Sequence, residues 1–120
     1  MQIPTMPQTI DWEQLFAWFP MLMDLDGCPQ DVIFHAEGDV LVHTKMVLEA
    51  LMTHSNWQQL DADWQQILWW SALLHDIAKP LTTIEEYNRI RSPRHALKGA
   101  QIVQNLLYQD FPSELVPLRA

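Results

Sequence analysis

The chain has 120 residues, a net charge of −8 and 48% hydrophobic residues, with six tryptophans and six methionines. That length suits one domain with a real core, and the composition excludes a disordered chain. The acidic balance argues against a general DNA- or RNA-coating surface, and no apolar run approaches the ~20 residues of a membrane helix.

A single cysteine, Cys28 in the turn-like "DGCP", excludes an internal disulfide. With no basic, apolar export signal at the start, a cytoplasmic protein is expected. The charge is uneven. Residues 1–63 hold ten acids and one base, Lys45, whereas residues 64–120 hold six bases and five acids. Arg89, Arg91, Arg94 and Lys98 fall within ten positions, as a solvated basic face or an anion site.

The periodicity is helical throughout, with no convincing alternating run. "TIDWEQLFAWF" predicts a first helix capped by Thr9 or Asp11 and stopped near Pro20. "MLMDLDGCPQDVIFHAEGD" reads as a loop or short helical turn. Asp39 then caps "VLVHTKMVLEALMTH", roughly 40–54, with His54 at its dipole-compatible end. After the connector "SNWQQLDA", Asp61 or Asp63 starts "WQQILWWSALLHDIAK", which Pro80 is expected to terminate. "LTTIEEYNRIR" is expected as a loop. Ser92 and Pro93 then open a fourth helix, "RHALKGAQIVQNLLYQ". "SELVPLRA" resembles the first turn of a further helix, so the chain is expected to be cut there.

The chemistry concentrates at "LLHDIAKP", residues 73–80. A carboxylate such as Asp76 is costly at the inner, C-terminal end of an apolar helix unless something positive compensates it, and Lys79 or a metal would serve. His75 and Asp76 diverge by ~100° around a helix, so they can share one ion only at the helix end. His43, on the apolar face of the second helix, would be the third ligand; alone, it reads as a core histidine. Imidazole nitrogen with carboxylate oxygen suits a divalent metal that keeps open positions. His95 lies in the first turn of the fourth helix, and His35 reads as a surface loop residue. The tryptophans read as core and surface cover, with one of Trp69 and Trp70 expected at the surface.

His43 in "GDVLVHTKMVLEAL", His75-Asp76 in "LLHDIAKP" and His95 in "SPRHALKGAQIV" together resemble the HD superfamily of metal-dependent phosphohydrolases. The stretch "HAEGDVLVHT" is similar to HD domains of bacterial CCA-adding enzymes and to those preceding a P-loop kinase-like ATPase. The likeness covers residues 35–104 and implies an all-α HD-type helical bundle, with residues 1–120 as one domain. It implies a divalent ion (Mn, Mg, Co, Ni, Fe or Zn) on His43, His75 and Asp76, with His95 a second-metal ligand or phosphate contact.

In that scheme Asp76 orients water, Lys79 neutralises phosphate charge, and Arg89, Arg91 and Arg94 grip non-reacting phosphates. The implied substrate is a phosphorylated small molecule or an RNA end. The alternative is a non-catalytic HD module that senses a ligand or regulates an attached ATPase. The family pattern also implies a final aspartate on a later helix. Only Asp110, in "QDFP", follows, so the chain is expected to be truncated and to self-associate over uncovered apolar faces of the second and third helices.

Overall fold

The computed structural model describes residues 5–32 and 35–110, with only the helical backbone for 104–110. The helix starts follow from side-chain caps. Asp11 accepts the Gln14 N–H at the head of α1 (Trp12–Trp18), Asp39 the Val42 N–H at α2 (Val40–Thr53), and Asp61 the Trp64 N–H at α3 (Ala62–Leu74). Short 3₁₀ helices at Pro20–Leu25 and Trp57–Gln59 carry the chain between them. A four-residue helix α4 (Lys79–Thr82), a hairpin of β1 (Ile84–Glu86) and β2 (Arg89–Arg91), and α5 (His95–Asp110) complete the described part. The fold is mostly helical, as expected. "SELVPLRA" lies outside the described residues.

The third helix ends earlier than its sequence suggests. Pro80 has no N–H for the Asp76 carbonyl, and its ring crowds that carbonyl in α geometry. The chain switches upstream to three-residue spacing, with Ile77 N–H on Leu74 O at 3.1 Å and Lys79 N–H on Asp76 O at 3.0 Å. Pro80 therefore stands inside the first turn of α4. His75-Asp76 occupies a tight turn between α3 and α4.

The expected loop at 84–91 is instead a two-stranded antiparallel hairpin, with Ile84 opposite Arg91, Glu85 opposite Ile90 and Glu86 opposite Arg89. Its two-residue connection needs positive φ at both positions, and Tyr87 (52°) and Asn88 (60°) supply it. Pro93 does not begin the last helix. It sits in a turn, and Arg94 follows with φ 60° before α5 starts at His95.

The core forms between α1, α2, α3 and the 20–25 turn, with Leu15, Leu22, Leu25, Val40, Leu48, Trp69 and Leu73 fully enclosed. Both members of the Trp69-Trp70 pair are buried, contrary to the expectation that one marks the surface. Trp69 donates to the Met52 sulfur at 3.3 Å. Trp70 meets Phe19 edge-on at 5.7 Å, beside Trp18. The N-terminal helix thus covers the α3 surface expected to be bare. Trp57 is also core, and Trp64 is exposed.

α5 reaches the His75-Asp76 turn through Gly99, where an added Cβ would stand 3.7 Å from the Ala78 Cβ and 3.8 Å from the Ile77 Cγ2. One turn earlier on the same face lies His95.

Arg94, an exposed side chain on left-handed backbone, gives a direct test. Arg94→Gly should stabilise the chain by about 1 kcal/mol in urea unfolding, because glycine adopts that conformation without steric cost. A loss of stability would show that the arginine side chain anchors the turn.

Candidate metal centre and its cleft

Asp76 is 3% exposed and stands at the middle of the site. His75 Nε2 lies 2.9 Å from its Oδ2, Lys79 Nζ 3.4 Å and His43 Nε2 3.8 Å, while His95 Nε2 lies 3.3 Å from Oδ1. The four groups come from α2, the 75–78 turn, α4 and α5. One ligand atom from each of His43, His75 and Asp76 falls within 4.8 Å of the others.

Each imidazole is fixed through its far nitrogen. His43 Nδ1 donates to Glu37 Oε1 at 2.7 Å, His75 Nδ1 to the Ala72 carbonyl at 2.6 Å, and His95 Nδ1 to the Ser92 carbonyl at 2.9 Å. Those acceptors can only accept, so each Nδ1 carries a proton. In a neutral ring each Nε2 then presents a lone pair toward the same carboxylate. Lone pairs facing lone pairs need a proton or a cation between them. The donor set thus fits a divalent ion, with nitrogen and oxygen ligands oriented by outer hydrogen bonds.

The electrostatics agree. Burial alone would raise the Asp76 carboxyl, but the hydrogen bond from His75 and the charges of His75, Lys79 and His95 outweigh it and bring the pKa to about 2. The bond to Asp76 raises the His75 imidazole against the opposing effect of burial, with help from the Ala72 carbonyl. Hydrogen bonds from its own backbone and from His43 hold Glu37 below the usual glutamate value.

Beside the centre opens a cleft of about 410 Å³, lined by Gln30, Asp31, His35, Lys79, Arg89, Ile90, Arg91, Ser92 and His95. Of the expected phosphate contacts, Lys79, Arg89 and Arg91 border it. Arg94 is exposed and is not among the lining residues. Arg89 pairs with Asp31, and Arg91 lies 3.7 Å from Glu86 across the hairpin.

His35 is half-buried rather than a surface residue: it meets His43 edge-on at 4.9 Å and Glu37 at 3.4 Å. Glu37 escaped the sequence reading although its "HAEGD" segment drew attention. Gln30 and Asp31 had no signal, because irregular backbone carries no periodicity to reveal which side chains turn inward. Cys28 is buried, its sulfur 3.6 Å from the Thr83 hydroxyl, and burial raises its pKa, as befits the expected inert loop residue.

The family model for the HD domain matches residues 40–117, well over half of the chain. The chain belongs to the HD domain family. HD domains form a superfamily of metal-dependent phosphohydrolases. Among curated proteins it is similar to the "Multifunctional CCA protein" of Ectopseudomonas mendocina (strain ymp), 35% identical over 94 residues. It is also similar to the protein of that name from Shewanella frigidimarina (strain NCIMB 400), 30% identical over 94 residues. Each match covers 78% of this chain but 20% of the relative, so the chain spans about a fifth of their length. No solved structure gives a significant match. No helix among the described residues is long and apolar enough to cross a membrane.

The Asp76 shift sets an acid limb for the metal-free chain. A folded pKa of about 2 against an ordinary 3.8 contributes stability above pH ~4, lost as pH falls toward 2. The raised His75 works in the opposite sense, stabilising below 6.5 and fading as pH rises through its folded value. The two shifts describe one pair and count once, about 2 kcal/mol. Urea unfolding with EDTA at pH 3, 5 and 8 should show the maximum at pH 5, and Asp76→Asn should flatten the acid limb. For the outer support, Glu37→Gln should weaken Mn²⁺ binding by ~10-fold or more in calorimetry. Unchanged affinity would remove Glu37 from the centre.

Proposed function

We propose that this chain hydrolyses the phosphoester of a nucleotide or RNA end. The observation carrying this reading is that three imidazoles, each tied at Nδ1, turn Nε2 toward one buried carboxylate beside a cleft edged by Lys79 and two arginines. His43, His75 and Asp76 would hold a divalent ion, with His95 beside them. When bound, the ion supplies Lewis acidity at a phosphoryl oxygen and acidifies a water.

The remaining work falls to the chain. Asp76 Oδ1, on the side facing His95, orients the attacking water. Lys79 donates to a non-bridging phosphoryl oxygen as charge develops there. Arg91, on the hairpin, offers a forked donor to a phosphate that does not react, and Arg89 does so from its anchorage on Asp31. His95 lines the cleft beside Asp76, where its Nε2 would take a second metal or, carrying a proton, donate to a phosphate oxygen. A cleft of this size suits one nucleotide unit better than a duplex, and the matched relatives carry "CCA" in their names. The chain would act in the cytoplasm, beside an attached ATPase or a second copy of itself, although the Trp69-Trp70 surface expected to drive self-association is already covered.

With Mn²⁺, the chain should hydrolyse a generic diester or monoester, bis(p-nitrophenyl) phosphate or p-nitrophenyl phosphate, and then nucleotide counterparts. Asp76→Asn should lower kcat on the order of 10³-fold, since it removes a ligand and the water's anchor together. Arg91→Ala should act mainly on KM for nucleotide substrates. Tight metal binding without turnover would favour the non-catalytic module, and turnover surviving Asp76→Asn would refute the assignment outright.

A further inference from the structure

Lys79 is a buried ammonium, 8% exposed, and something must aim it. Its Nζ donates to Gln30 Oε1 at 2.9 Å and lies 3.4 Å from Asp76 Oδ2. An ammonium has three donors, so one is left for the cleft that both Lys79 and Gln30 line. Gln30 is itself buried, 6% exposed, and its amide is used at both ends. Nε2 donates to the carbonyls of Gly38 (3.4 Å) and Asp39 (3.3 Å), at the start of the helix that carries His43. The segment holding Gln30 is laced to that same helix start, with Gly27 N–H on Asp39 Oδ2 and Val40 N–H on the Cys28 carbonyl, both at 2.9 Å.

We propose that Gln30 is a positioning residue of the site, fixing the Lys79 ammonium between its own Oε1 and Asp76 Oδ2 so that the third N–H is presented to a phosphate in the cleft. The inference rests on the phosphohydrolase reading for its catalytic meaning, but its physical content is phosphate binding. An amide suits the task better than a carboxylate. A glutamate here would also accept from Lys79, but it would cancel the charge a phosphate needs and set an anion against two carbonyls. A leucine would remove the Gln30 anchor and leave the ammonium oriented by Asp76 alone.

The test is a double-mutant cycle on the full Mn²⁺-loaded chain, read as calorimetric affinity for inorganic phosphate. Gln30→Asn keeps the amide but is one methylene too short to reach Lys79. It should weaken phosphate by about tenfold, as expected for a lost hydrogen bond to a charged group. Lys79→Met should weaken it at least as much, and the double variant no more than Lys79→Met alone. Additive losses would overturn the proposal, because Gln30 would then act through the fold and not through Lys79. Gln30→Glu provides a second arm should the asparagine variant not fold, and parent-like phosphate affinity in it would overturn the proposal equally.

Turnover is read separately. A non-additive cycle without hydrolysis of any phosphoester would uphold Gln30 and sink the phosphohydrolase reading. An additive cycle with turnover intact would do the reverse.

Discussion

A carboxylate removed from water at the end of an apolar helix is the constraint to which this fold answers. Left alone, Asp76 would be neutral or would pull the turn open. Instead the chain surrounds it with Lys79 and three imidazoles from four separate segments. What those groups share is this anion and a geometry that suits a cation. The low pKa of Asp76 shows which effect wins: the attraction of its partners exceeds the penalty of burial.

Convergence also explains the outer layer. Imidazoles are useful here only if the nitrogen facing Asp76 is the unprotonated one, and that choice is made on the far side of each ring. Two main-chain carbonyls and the Glu37 carboxylate make it. Glu37 serves His43 and His35 together, and the His35 ring closes edge-on over His43. The His35–Glu37–His43 group is therefore read as support for His43, because His43 Nδ1 is already committed to Glu37. The Gln30 amide belongs to the same layer, on the cation's side.

Much of the helical frame was legible because aspartate caps are local. Asp11, Asp39 and Asp61 announce their helices within three residues. The end of α3 was misplaced because Pro80 acts on the carbonyl four residues before it, not at its own position. The hairpin was missed because Tyr87-Asn88 replaces the usual Asn-Gly turn, although the strands on either side are short and regular. His43, His75, Asp76 and His95 stood out by type and spacing. Glu37 and Gln30 did not, since their value lies in contacts to residues 6 and 49 positions away. The Trp69-Trp70 pair was expected to leave one ring at the surface because the cover over Trp70 comes from Trp18 and Phe19, distant in sequence.

Gly99 shows how a site can be tuned from outside. Between α5 and the 77–78 turn there is room for a methyl group and little more. Any longer side chain there would work as a spacer, lifting the helix and, one turn back, withdrawing the imidazole of His95 from Asp76. The distance of His95 from Asp76 is thus set at a position outside the lining of the cleft. Related chains could lengthen or shorten that one distance by exchanging a single small residue, with His43, His75 and Asp76 left in place.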